Sequence, residues 1–252
     1  MKETSKLDLV DFKAHVQKLL IKNKNIRVLP FIYHSQKFWL KQPEKLSGVW
    51  RFLKPQPERS FANEIKVLRY LHEQDAPIPE LVLYEQNFLV LRDAGITVSA
   101  KIEDDDPFNP QKEQILHDAA KALADLHRQG LVHGRPALRD MTWLAGKVCF
   151  IDFESQSKRQ DLLWKKVRDS LIFIHSLGRE ECISNELMRR VITQYKQYSD
   201  PLIWQNMLRI LQRYRWIYFG LRCFRFIAKK DLVAIYRLFE NTFIVENAEN
   251  KG

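Results

Sequence analysis

An α+β fold in two parts is predicted for this chain: a small β-rich region with one helix over residues 1–92, and a mainly helical region over 93–252. Three observations predict it. The 252 residues are 45% hydrophobic, enough to bury a core in one large domain or two modest ones. Only 8 Gly and 10 Pro punctuate the chain, which favours long elements over many short strands. The apolar pattern also changes from short β-like runs in the first hundred residues to helical periodicity beyond them.

In order, Arg27–Tyr33 and Lys37–Lys41 read as strands split by His34-Ser35-Gln36, and Val49–Leu53 is either a strand or part of a loop. A helix from about Glu58 to His72 carries Phe61, Ile65, Leu68 and Leu71 on one face. After Ala76-Pro77-Ile78-Pro79, the runs Leu81–Tyr84 and Phe88–Leu91 form a hairpin. The break between the two parts falls near Asp93-Ala94-Gly95, and the acidic run Glu103-Asp104-Asp105-Asp106 reads as a solvated loop. A helix from Pro110 holds Ile115, Ala119, Leu123 and Leu126 in register and stops at Gly130. A β interlude from Leu131 to Phe153 precedes helices over 161–176, 184–198 and 201 to about 240.

Charge and cysteine content narrow the function classes. Lys+Arg 41 against Asp+Glu 31 gives a net charge of +10, which favours polyanions: nucleic acid, anionic lipid or nucleotide phosphates. Cys149, Cys182 and Cys223 form no C-x-x-C, against both a disulfide framework and a structural zinc site. That cysteine usage leads to the expectation of a reducing cytoplasm, and the lack of a stretch of the ~18 uninterrupted apolar positions of a spanning helix to that of a soluble or peripherally bound protein.

Two constellations carry candidate chemistry. Met141–Leu144 and Val148–Ile151 flank Ala145-Gly146-Lys147 as a hairpin, with Asp140 six residues before Gly146 and Asp152 six after it. Closing the hairpin sets the two aspartates side by side at its open end. Two such carboxylates repel unless they share a cation, and Mg²⁺ completed by substrate phosphate oxygens is one solution. The alternative is that one Asp caps a turn and the other pairs with Arg135 or Arg139. Upstream, Glu64 lies on the apolar face of its helix, where an unpaired carboxylate is costly. Lys41, at the end of a strand, is its candidate partner; the alternative is a Glu at the border of the stripe, facing water.

Leu126-His127-x-x-Gly130-x-x-His133-Gly134, followed by Phe150-Ile151-Asp152-Phe153-Glu154, resembles the catalytic loop and the metal-binding D-F-G element of the protein-kinase-like fold. Among its branches the chain is most similar to the small bacterial lipopolysaccharide (Kdo and heptose) kinases, with RIO-like relatives. The resemblance spans about Lys37 to Ser176 and includes a hinge at Leu89-Val90-Leu91-Arg92. It also includes Asp169, matching the helix aspartate that steadies the catalytic loop. It implies a two-lobed fold, ATP and Mg²⁺ as cofactors, and phosphorylation of a sugar or lipid-linked sugar hydroxyl. It further implies that Lys41 contacts the α/β-phosphates, that Glu64 orients Lys41, that Asp152 holds Mg²⁺, and that His133 is a scaffold residue.

The departures from that pattern are specific. In H-x-D-x-x-x-x-N the Asp place is Arg135 and the Asn place is Asp140. Arg135 cannot accept a proton and is left with charge neutralisation, so Asp140 is the metal ligand, the relocated base, or both. No glycine lies between the first strands, and Glu154 replaces the glycine after Asp152-Phe153. A nucleotide-binding pseudokinase is the alternative that these departures keep open, and an atypical protein kinase in an RNA-handling assembly is a third.

Between Asp200 and Asp231 no residue is acidic, while Arg209, Arg213, Arg215, Arg222, Arg225, Lys229 and Lys230 are basic. Trp204, Tyr214, Trp216, Tyr218, Phe219, Phe224 and Phe226 are interleaved with them. Ile203, Met207, Ile210, Tyr214, Ile217, Tyr218 and Leu221 follow a helical stripe, so part of this segment is expected to pack on the core. The aromatic surplus around Arg215–Phe226 suits an anionic membrane surface, at the inner face of the inner membrane, contacted through 209–230. Nucleic acid is the lesser alternative, since no recognisable nucleic-acid module accompanies the run.

Overall fold

The structure, a computed structural model, describes residues 8–44, 57–103, 110–153, 161–223 and 229–249. The chain divides into two compact units, Met1–Asp93 and Ala94–Gly252. Val49–Leu53, Asp104–Asp106, Glu154 and Phe224–Phe226 lie outside the described residues.

The first unit is built on an antiparallel sheet of β1 (Val28–Tyr33), β2 (Gln36–Lys41), β3 (Leu81–Glu85) and β4 (Phe88–Arg92), in the order β1-β2-β4-β3. The β1–β2 turn is only two residues long, His34 and Ser35, both with positive φ (46° and 61°). That is the twist a tight hairpin needs, and it leaves no room for a glycine-rich loop over a ligand. Alternation sorts the side chains of β2. Phe38 and Leu40 join the buried cluster of Phe12, Val16, Phe31, Phe88 and Val90. Lys41, of opposite parity, meets the other face, where helix α2 (Pro57–Glu73) buries Phe61, Ile65, Leu68 and Leu71.

Helix α1 (Leu9–Lys22), capped by the Asp8 carboxylate accepting from Val10 N at 3.0 Å, is an element the sequence pattern does not predict. Its fully buried residues are Phe12 and Val16, one turn apart, and Leu19 and Leu20 continue the stripe, partly buried against the same cluster. The stripe is well packed: the Phe12 ring lies 6.0, 5.1 and 5.0 Å from the rings of Phe31, Tyr33 and Phe38.

In the second unit, β5 (Ile96–Thr97), β6 (Met141–Leu144) and β7 (Lys147–Phe150) form a small antiparallel sheet. Around it are α3 (Val98–Ile102), α4 (Pro110–Arg128), α5 (Leu162–Arg179), α6 (Asn185–Tyr198), α7 (Pro201–Arg213), α8 (Arg215–Arg222) and α9 (Lys230–Glu249). Helix α4 packs on α6, and α5 on α7 and α9. Gly178 lets α5 and α9 approach closely: a Cβ there would lie 3.0 Å from the Ala234 carbonyl oxygen.

Among the described residues the helical segment from 201 to about 240 is divided into α7, α8 and α9. The first ends at Tyr214, where the backbone leaves helical geometry (φ −98°, ψ 11°) without Gly or Pro to mark the break. Burial explains it. Ile203, Trp204, Met207, Leu208 and Leu211 of α7 are in the core, whereas no residue of α8 is fully buried. The result is an α+β architecture with a small antiparallel N-terminal sheet and a helical C-terminal unit.

Phe12→Ala is expected to destabilise the first unit by about 3–5 kcal/mol, the cost of emptying a well-packed aromatic site. Urea unfolding followed by circular dichroism measures it. An unchanged midpoint would show that α1 is not part of that core.

Candidate active site

The β6–β7 hairpin does what its spacing predicts. Met141 pairs with Phe150, and Ile151 N donates to Asp140 O at 2.9 Å, which extends the pairing to the open end. Asp140 closes a single 3₁₀ turn, Leu138–Asp140, that is tied to α5 by Leu138 N donating to Ser176 Oγ at 3.3 Å. Asp152 sits just beyond the hairpin in left-handed backbone (φ 65°), a conformation that Asp and Asn tolerate better than other side chains.

Arg135 bridges the two aspartates. Its Nη2 donates to Asp152 Oδ2 at 3.1 Å, and its Nε lies 3.4 Å from Asp140 Oδ2. Arg139 Nε stands 3.8 Å from the other Asp140 oxygen. Pairing with an arginine, the alternative that the spacing left open, is therefore realised for both carboxylates. Asp140 is buried, and its Oδ2 makes no hydrogen bond. Burial pushes its carboxyl up to about 6; Arg135 opposes the rise, Asp152 reinforces it and Arg139 opposes it.

The loop before this turn hangs from one buried carboxylate. Asp169 of α5 accepts from His133 N at 2.8 Å and Gly134 N at 3.0 Å, and lies 3.5 Å from His127 Nε2. His133 is a structural residue: Arg135 N donates to its Nδ1 at 3.1 Å, so Nε2 carries the proton donated to Ile151 O at 2.9 Å. Its ring packs on Phe150 and Phe153, and burial lowers its pKa, which keeps it neutral.

In the first unit Lys41 Nζ meets Glu64 Oε1 at 2.8 Å, with the Glu64 side chain 5% exposed and that of Lys41 19%. The costly carboxylate on the apolar face of α2 thus has its cation.

This order of elements agrees with a family match: residues 26–166 match the phosphotransferase enzyme family, APH. The chain belongs to this family. It is a phosphotransferase-family protein of the protein-kinase-like superfamily. An uncharacterized protein of Haemophilus influenzae is 47% identical over 230 residues, which cover 91% of this chain and 95% of that relative. The solved structure of a gentamicin–APH(2″)-IIa complex is similar at a TM-score of 0.39 and 14% identity, over 93% of this chain and 97% of that one.

The donor set of this phosphotransferase relative suits a hard cation with an incomplete protein shell. Among the described residues no group of three or more His, Cys, Asp or Glu could hold a metal. Asp140, with its hydrogen-bond-free buried oxygen, and Asp152 offer two carboxylates, the number that Mg²⁺ takes when phosphate oxygens and water complete it. Sequence reasoning passed over Arg168, His175 and Arg179, which recur on one face of α5 beside Arg135. Their helical spacing was the available signal.

The raised Asp140 carboxyl has a consequence for stability. Between its ordinary value of 3.8 and about 6 the folded chain holds a proton there that the unfolded chain has lost. That contribution is full below about 3.8 and disappears as pH rises through about 6. In metal-free buffer with EDTA, wild-type stability relative to Asp140→Asn should fall by up to about 3 kcal/mol from pH 4 to pH 7. Urea denaturation across that range measures it, and a constant difference would show that Asp140 titrates normally.

Proposed function

We propose that this protein transfers the γ-phosphoryl group of ATP to a sugar hydroxyl, with a lipopolysaccharide core sugar as acceptor. The observation that carries the reading is Asp140: a buried carboxylate, raised in pKa, with one hydrogen-bond-free oxygen, beside Asp152 and a guanidinium. The Asp140 carboxylate takes the proton of the acceptor hydroxyl as the hydroxyl oxygen bonds to the γ-phosphorus, and the bond to the β–γ bridging oxygen breaks with its electron pair leaving on ADP. Asp152 and Asp140 are the residues that would hold Mg²⁺, which, when bound, neutralises charge on the phosphate oxygens. Arg135 adds a fixed positive charge, and Lys41, oriented by Glu64, binds the α/β-phosphates.

Arg135 also favours a second reading, a pseudokinase that binds nucleotide without transfer, because its guanidinium already spans both carboxylates. Thermal-shift and ATP-turnover assays separate the two. The transfer reading expects stabilisation by Mg²⁺-ATP, loss of it in Asp152→Asn, and at least about a hundredfold lower turnover in Asp140→Asn, as for removal of a general base. Stabilisation without turnover on lipopolysaccharide-core acceptors would favour the pseudokinase, and no nucleotide-dependent shift in wild type would sink both.

A lipid-linked acceptor agrees with α8. Trp216 is 70% exposed and Phe219 50%, between Arg213, Arg215 and Arg222, all exposed. Among the described residues no helix is long and apolar enough to cross a membrane, so contact with the bilayer would be peripheral. At about 1 kcal/mol per basic residue near an anionic surface, a few suffice for reversible binding. Co-sedimentation with anionic vesicles should exceed that with neutral ones and drop about tenfold or more in Arg213→Glu/Arg222→Glu; equal recovery on both lipids would remove the proposal.

A further inference from the structure

Beside the catalytic turn, wholly within the second unit, lies a cavity of about 380 Å³, in the size range of small-molecule sites. Its charged and titratable lining is Arg135 from the loop before the turn, Arg139 from the turn, Arg168, His175 and Arg179 from α5, and Glu180 just after it, with Ser99 and Ser176 beside them. Four guanidiniums thus face a single carboxylate, and that carboxylate is engaged by Ser99 Oγ at 2.8 Å.

The charges on this wall are unequally matched. Arg135 is taken by Asp140 and Asp152. Arg179 Nη1 pairs with Asp231 at 2.9 Å, but both side chains are well exposed, at 42% and 72%, so the pair is worth little. Arg139 is only loosely placed against Asp140, at 3.8 Å. Arg168 is half-buried and has no hydrogen-bond or ion-pair partner among the described residues.

The sequence explains why Arg168 is left over. From Leu162 to Arg179 the only acid is Asp169, and its carboxylate is turned into the His133–Gly134 loop. Arg168, Ile172, His175 and Arg179 follow at helical intervals on one face. A half-buried guanidinium that no carboxylate of the helix neutralises is a standing site for a bidentate oxyanion. Ala137, Leu138 and Ile172 give the same cavity an apolar side, which suits the C–H face of a sugar ring.

We infer that this cavity is the acceptor subsite for a sugar bearing a phosphate or carboxylate group, with Arg168 as its anion anchor and Arg139 and Arg179 flanking it. As an acceptor site it rests on the phosphoryl-transfer reading, since it shares Arg135 with the Asp140 centre. An anion seated on Arg168 sets a hydroxyl of the same sugar towards the turn that ends in Asp140. Arg168 touches the substrate only through the anion and takes no part in the bond changes.

The test is calorimetric titration, with no nucleotide present, of glucose 6-phosphate, glucuronate, inorganic phosphate and glucose into wild type, Arg168→Ala, Arg168→Glu and Arg179→Ala. Thermal shifts with Mg²⁺-ATP are run on the same samples. Glucose 6-phosphate and glucuronate should bind, inorganic phosphate more weakly and glucose not detectably. Arg168→Ala should weaken anion binding at least about tenfold, the loss of one charge-assisted bidentate contact, and Arg168→Glu should abolish it, while both keep the nucleotide shift. If the Arg168 variants do not fold, Arg179→Ala at the exposed end of the helix carries the test, with a several-fold weakening expected.

Equal binding of glucose, unchanged affinity in the variants, or displacement of glucose 6-phosphate by Mg²⁺-ATP would overturn the subsite. Inorganic phosphate binding as tightly as glucose 6-phosphate would overturn its sugar specificity. Arg168-dependent anion binding in a protein that shows no nucleotide shift would overturn the phosphoryl-transfer reading and leave the anion pocket in place.

Discussion

The carboxylate of Asp169 is the interaction on which the second unit depends. It is fully buried, and it holds the backbone N–H groups of His133 and Gly134 at 2.8 and 3.0 Å from inside α5. Without it, two buried donors would lose their partner, and each such loss costs about 1–3 kcal/mol. Everything downstream is positioned from that anchor. His133 passes the order on through two backbone contacts, one to Arg135 N and one to Ile151 O, so one ring sets both the approach to the turn and the exit from the hairpin. The two aspartates are brought together by backbone hydrogen bonding, and their own repulsion is offset afterwards by Arg135.

That arginine gives the site its electrostatic character. A carboxylate pair without a cation is unstable in a buried setting, and here a guanidinium fixed in the chain supplies the positive charge. It does so incompletely. Asp140 remains raised towards neutrality because burial outweighs the neighbouring arginines, and the two carboxylates differ in burial, the Asp140 side chain being 6% exposed and that of Asp152 34%.

Much of this was legible in the chain itself. The strands of both N-terminal hairpins, the Lys41–Glu64 pair and the Asp140/Asp152 hairpin follow from alternation, spacing and the cost of an unpaired buried carboxylate. The elements that escaped did so for physical reasons. Helix α1 escaped although Phe12, Val16, Leu19 and Leu20 recur at helical intervals, because the charged residues around them, Asp8, Asp11, Lys13, Lys18 and Lys22, dilute the stripe. The break at Tyr214 has no Gly or Pro, because burial ends there and the helix has no further core to follow. The α5 face was hidden by its own pattern: Arg168 stands next to Asp169 in sequence, but on the helix the two point to different places and serve different neighbours.

Asp152 adds a last point through its left-handed backbone, φ 65°. Aspartate and asparagine are close to interchangeable in that conformation, whereas alanine or a branched residue would be strained by roughly 1–2 kcal/mol. The polypeptide geometry therefore asks only for a short side chain with a carbonyl-like group and is indifferent to its ionisation. The negative charge at this position is a surplus over what folding demands, directed at Arg135 and whatever else the carboxylate meets.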